Sequence, residues 1–105
     1  MNVHIIKNEQ HSIMDDQLKA LKVKFGRDMK VIEVNAPAAG WTLEQMDSIS
    51  NLKGIIVFLS PIPALMKMMV FKGQDWFVFH NDNRDKKEIN GKIIMTVAKE
   101  GWVIV

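Results

Sequence analysis

The sequence predicts an open α/β domain, and three observations carry that prediction. Short apolar runs alternate with helical patterns along the chain. The runs are Val3-His4-Ile5-Ile6, Val31-Ile32-Glu33-Val34, Ile55-Ile56-Val57-Phe58-Leu59 and Trp76-Phe77-Val78-Phe79. Each run breaks into a polar, Pro- or Gly-containing loop, as strands do at their ends. The third run is apolar at every position, as expected of a parallel strand covered on both faces. Sheets of this kind bind ligands at the carboxyl ends of their strands, so the loops after the runs are where function is expected.

The first strand is predicted over Asn2 to Lys7. A helix follows from about Ser12, which suits an N-cap, with Asp15 and Asp16 at the positive end of the helix dipole. Ile13, Met14, Leu18, Leu21 and Phe25 share one side at helical spacing, while Lys19, Lys22 and Lys24 face away. Gly26 is a natural terminator. The second strand is Lys30 to Val34. Its following loop, with Pro37 and Gly40, reads as a spacer before a capping box of Thr42 and Gln45. Leu43, Met46, Ile49 and Leu52 form the predicted buried stripe of that short second helix. The third strand runs from Ile55 to Leu59. Ser60-Pro61 is predicted to open the third helix, Ile62 to Lys72, which is apolar almost all round. Such a helix needs more cover than one sheet face supplies, and a partner subunit is a natural source.

The fourth strand, Trp76 to His80, leads into a charged loop, Asp82 to Glu88. Lys92 to Val97 and Trp102 to Val105 are strand-like, with four residues between them, a spacing that fits a hairpin and forbids a crossover helix. The prediction is therefore a single domain over residues 1–105. It has a Rossmann-like β-α-β-α-β-α-β core, a mostly parallel sheet and a C-terminal antiparallel β-hairpin.

Composition narrows the function classes. A chain of 105 residues, 48% hydrophobic and 25% charged, is long enough for one real core. It contains no cysteine, which removes disulfides and Cys-ligated zinc. No apolar run approaches the roughly 20 residues that span a bilayer, and the start lacks the pattern of a signal peptide. No membrane association and a cytoplasmic location are the resulting expectations. A net charge of +2 is too small to coat duplex nucleic acid but suits a small anion held by local cations. The fingerprints of dinucleotide binding, of a P-loop, of HExxH metalloproteases and of a GxSxG nucleophile elbow are all missing. His4, His11 and His80 lack metal-ligand spacing, so neither a metal nor another cofactor is expected.

The strand-end residues remain. Asn8, Gln10, His11 and Ser12 follow the first strand, and Asn35 the second. Ser60 and Pro61 follow the third, where a helix N-terminus would favour an anion. His80, Asn81, Asn83 and Arg84 follow the fourth, and Arg84, Lys86 and Lys87 form a cationic cluster. Each has a plainer alternative. Ser12 and Ser60 also fit simple helix caps, and Asn83 and Arg84 fit turn and solvent-facing residues. Trp41 either plugs the core edge or stacks on a base. His80 fits a structural role as well as ligand contact.

This order of elements resembles the small single-domain CRISPR-associated Rossmann fold (CARF) proteins. The likeness lies in the polar loop Asn8 to Ser12 and in Ile56-Val57-Phe58-Leu59-Ser60-Pro61-Ile62-Pro63-Ala64-Leu65-Met66-Lys67, a very apolar strand opening a Met- and Leu-rich helix. A basic strand-end loop and a terminal hairpin complete it. The resemblance implies an antiviral-defence protein acting as a homodimer whose two strand-end edges form one pocket for a cyclic oligoadenylate. Some members cleave that ring without metal, so ring-nuclease activity is a further implication. Catalytic roles would then fall to Ser60 and its helix N-terminus for phosphate holding and to Arg84 for transition-state charge. His80 or His11 would contact adenine or move a proton. The remaining ligand contacts would come from Asn8, Gln10, Ser12, Asn35, Pro61, Asn81, Asn83 and Lys86. Two alternatives stand beside this reading. One is a nucleotide-sensing module without catalysis. The other is a small interaction protein that docks a partner through its apolar third helix.

Overall fold

The computed structural model describes residues 1–105, the side chain of Val97 excepted. Its elements follow in the order β1 (Asn2–Asn8), α1 (Asp15–Phe25), β2 (Lys30–Ala36), α2 (Leu43–Ile49), β3 (Ile55–Phe58), α3 (Pro63–Phe71), β4 (Phe77–His80), β5 (Arg84–Ile89), β6 (Lys92–Val97) and β7 (Val103–Ile104). The fold is mixed α/β. Five strands make a mostly parallel sheet in the order β2-β1-β3-β4-β7, and β5 and β6 form a separate ribbon. β1 to β4 run parallel, while β7 joins β4 antiparallel.

Burial of the inner strands β1 and β3 explains the layering. Val3, Ile5 and Ile6 are fully buried, and so are Val57 and Phe58 beside them on β3. Successive residues of a strand point to opposite faces, so both faces need a cover. Val3, Ile5, Val57 and Phe79 pack with Leu21 and, at its margin, Leu18 and Phe25 of α1. Ile6, Ile56 and Phe58 pack on the other face with Met46 of α2 and Leu65 and Met69 of α3. The chain steps from β1 to β2, then returns past β1 to β3 and on to β4. Right-handed crossovers place the helix of a reversed step on the opposite face, which puts α1 alone and α2 with α3 together.

Local chemistry sets the helix ends. Thr42 and Gln45 form the expected capping box: Gln45 N–H donates to Thr42 Oγ1 at 3.2 Å and Thr42 N–H to Gln45 Oε1 at 2.9 Å. α1 starts later than expected. Its N-cap is Met14, whose N–H donates to Gln17 Oε1 at 2.9 Å, and Ser12 lies outside the helix as an exposed loop residue. α3 also starts late, at Pro63. Ser60 and Ile62 each precede a proline, which disfavours helical backbone there, and Ile62 is extended at φ −126° and ψ 89°. Ser60 is therefore a strand-end residue and not a helix cap. Leu43, expected in the α2 stripe, is exposed, because the buried face of this two-turn helix is set by Met46 and Ile49. At the far end of α3, Lys72 Nζ donates to Asp47 Oδ1 at 2.8 Å and Ser50 Oγ at 2.6 Å, tying α3 to α2.

The C-terminal third differs most from expectation. The segment read as a charged loop is largely strand β5, and it pairs with β6 from Arg84–Val97 to Ile89–Lys92. Asn90 (φ 52°) and Gly91 (φ 76°) make the two-residue turn, the Asn-Gly combination that accepts left-handed backbone at both positions. That turn prevails over the polarity of β5 because both faces of the ribbon are wet. The last strand consequently leaves β6 and closes the main sheet on β4. Val78 and Val105 exchange backbone hydrogen bonds at 2.8 and 3.0 Å, and Trp102 N–H donates to Asp16 Oδ2 at 3.0 Å. Trp102 also meets Phe79 edge-on, with centroids 6.3 Å apart. No helix among the described residues is long and apolar enough to cross a membrane.

Chemical denaturation checks this core assignment. Leu65→Ala, at a fully buried site, is expected to lower stability by about 2–5 kcal/mol. Val23→Ala, on the exposed side of α1, is expected to change it by no more than about 0.5 kcal/mol.

Candidate functional site at the strand carboxyl ends

The chain order reverses between β1 and β3, so the connections leaving their carboxyl ends diverge to opposite faces of the sheet. A crevice opens at that point. It encloses about 260 Å³ and lies between the loops after β1, β2 and β3, with Asn8, Pro37, Trp41, Ser60, Pro61 and Ile62 among its lining residues.

Ser60 holds the crevice together. Its buried hydroxyl accepts the Asn8 N–H at 3.0 Å and lies 2.9 Å from His11 Nδ1. A hydroxyl carries one proton and two lone pairs. With one lone pair used by Asn8, its proton is free to be donated to Nδ1. A second lone pair also remains, so the contact can form with either ring tautomer of His11. The main chain of the loop is fixed as well. His11 N–H donates to Asn8 O at 3.0 Å, and Gln10 N–H to Asn8 Oδ1 at 2.9 Å, as in an Asx turn. From below, the buried Lys7 Nζ donates to His11 O, with Glu33 Oε1 3.9 Å away on β2.

The loop after β2 belongs to the site, contrary to its reading as a spacer. Glu9 N–H donates to Ala36 O at 2.8 Å, and Ala38 N–H donates to Glu9 Oε1 at 3.0 Å. These bonds lock the loops after β1 and β2 side by side. Gly40, at φ 83°, turns the chain with its N–H on Pro37 O and delivers Trp41 to the crevice wall. Trp41 is half-buried against the Met46–Phe58 core, so part of its side chain stays accessible.

Of the residues selected from sequence, Asn8, Ser60 and Pro61 line this crevice, and the exposed His11 is tied to it through Ser60. Gln10 contributes its backbone, and Ser12 is exposed on the loop beyond it. Asn35 lies inside β2 with an exposed side chain. The residues after β4 gather into a second group. Asn81 is buried, donating to Glu100 O at 2.8 Å and accepting Asn83 N–H at 2.9 Å. Arg84 Nη1 donates to the carbonyls of Asn81 and Asn83. These three residues brace the base of the ribbon. His80 and Lys86 are exposed. Among the described residues, no hydrogen bond joins this group to His11 or Ser60, and no three His, Cys, Asp or Glu side chains gather as a metal site.

Sequence reasoning missed Lys7, Glu9, Pro37 and Gly40. A lysine directly after the buried Ile5-Ile6 pair of β1 was one available signal, and a Pro-Gly loop ending in tryptophan was another.

No protein-family model, curated protein or solved structure matches this chain. The site therefore stands on its own geometry.

Ser60→Ala tests the clasp. It leaves the partly buried Asn8 N–H without its acceptor and is expected to cost about 1–3 kcal/mol in a denaturant titration. Asn8 amide exchange should accelerate. Ser12→Ala should change stability by no more than about 0.5 kcal/mol.

Proposed function

We propose that the crevice between the carboxyl ends of β1 and β3 binds a nucleotide, and that its ligand is the cyclic oligoadenylate implied by the CARF resemblance. The observation that carries this reading is the Ser60–His11–Asn8 cluster at the reversal of strand order. On this reading the order β2-β1-β3-β4, with helices on both faces, is a Rossmann-like doubly wound sheet, and ligands of such sheets sit at that reversal. Trp41 offers a π face for an adenine, a mode of base contact worth about 1–3 kcal/mol. His11 presents Nε2 to a base edge or a phosphate oxygen, while Ser60 fixes the ring. Asn8 and Pro61 complete the wall. A homodimer would set two crevices around one ring, in a cytoplasmic CRISPR-associated defence role.

Ring cleavage is the second reading, favoured by the 2.9 Å contact that orients His11. In that reaction the ribose 2′-oxygen bonds to the adjacent phosphorus as the 5′-oxygen leaves. The 2′-hydroxyl proton passes to a base, the 5′-oxygen gains one, and a 2′,3′-cyclic phosphate remains. A positioned imidazole suits either proton transfer. Arg84, engaged with backbone carbonyls, would serve mainly to hold the neighbouring loop.

Calorimetric titration with cyclic tri-, tetra- and hexa-adenylate tests the proposal. At least one ring should bind, and His11→Ala should weaken it by about tenfold or more, equal to about 1.4 kcal/mol. Failure of all three rings to bind would overturn the ligand assignment. Chromatography after long incubation separates cleavage from sensing: linear product with a cyclic phosphate marks a nuclease, an intact ring a sensor.

A further inference from the structure

The β5–β6 ribbon stands apart from both cores. Every residue of β5 is exposed, as are Lys92 to Met95 of β6. Ile93, Met95, Ile89 and Ile94 are 70%, 52%, 51% and 42% exposed. The ribbon also lengthens the molecule, whose radius of gyration is 15.2 Å. A globular chain of this length has about 13 Å. The Asn90-Gly91 turn sets the ribbon's register without giving it a core, and two strands alone are marginally stable in water.

Its two outer edges differ in chemistry. β5 reads Arg84-Asp85-Lys86-Lys87-Glu88-Ile89, and such charge guards an edge against pairing. A two-fold axis at Lys86 or Lys87 would also set a lysine against its own copy. β6 reads Lys92-Ile93-Ile94-Met95-Thr96-Val97, with no proline and one charge, at its end. That is an open template for another strand.

We propose that β6 pairs antiparallel with β6 of a second copy, about a two-fold axis at Ile94. A two-fold antiparallel pair must set one residue against itself. Centred on Ile94, the register puts Ile93 against the partner's Met95 and Lys92 against the partner's Thr96. Apolar side chains meet apolar ones, and no like charges face each other. Centred on Met95, it would set Ile94 against the partner's Thr96, a poorer match. Backbone geometry agrees. A two-residue turn makes Ile89–Lys92 a hydrogen-bonded pair, and bonded pairs alternate along the ladder. The N–H and C=O groups of Ile93 and Met95 therefore point away from β5, and the Ile94 register joins those groups across the axis. The product is a four-stranded antiparallel sheet, wide enough for independent stability. The ribbon leaves the main sheet at the carboxyl end of β4, the edge that carries the crevice. The pairing itself requires no ligand.

The chain has no cysteine, which permits a clean test. In the Ile94 register the two Ile94 Cα atoms would lie about 4.5 Å apart, inside the range for a disulfide. Ile94→Cys should cross-link under mild oxidation roughly a hundredfold faster than Val23→Cys, a control at an exposed α1 site whose contacts are collisional. Light scattering should find a dimer for the unaltered chain and a monomer for Ile94→Lys, with amide spectra of the main sheet unchanged. Equal cross-linking rates in the two cysteine variants, or a monomeric unaltered chain, would overturn the proposal. So would a monomer whose ribbon engages duplex nucleic acid, which a β-ribbon can read in the major groove.

Discussion

The structure depends on burying β1 on both faces. Val3, Ile5 and Ile6 have no exposed surface, and their neighbours across the sheet are the apolar strand β3 and the more mixed β2. Complete burial of a Val or Ile side chain is worth about 1.5–3 kcal/mol, so an uncovered face would be costly. One crossover helix covers one face only. The chain therefore places α1 on one side and brings α2 and α3 to the other, which requires the strand order to reverse. The reversal between β1 and β3 follows from that packing demand.

The crevice is a consequence of the same demand. Where the two connections part, the backbone at the ends of β1 and β3 loses its regular partners, and buried peptide groups must still be satisfied. Ser60 answers for Asn8 and orients His11 in doing so. Lys7 takes the carbonyl of His11, and Glu9 joins the loop after β2. A polar network built to close a sheet edge thus fixes the His11 ring beside Ser60, while Trp41 lines the crevice with Asn8 and Ser60. Ser60 is therefore a structural clasp that holds the Asn8 amide and positions the His11 ring.

Much of the main sheet was legible in the sequence because its signals are local. The apolar runs, the Thr42–Gln45 box and Gly26 each fix a piece of structure without reference to distant residues. What was lost depended on distance or on competing local rules. Strand order is invisible in a list of runs. Ser12 and Ser60 both read as caps, yet Gln17 supplies the partner for α1, and paired prolines delay α3. The charge of β5 masked the Asn90-Gly91 turn beside it. Once that turn takes β6, the last strand is free to cover β4. In the site, Asn8, His11 and Ser60 were recognisable as strand-end residues. Arg84 and Asn81 shared that label, but their hydrogen bonds serve the base of the ribbon.

The central claim is that the β1–β3 crevice is the ligand site. Amide and side-chain NMR during titration with cyclic oligoadenylates tests it most directly. The account predicts the largest shifts at the Trp41 indole N–H, the His11 ring and the Asn8 and Ser60 amides, with the buried α1 face little changed. Shifts confined to the exposed residues of α3, around Val70 and Phe71, or to the ribbon would contradict it.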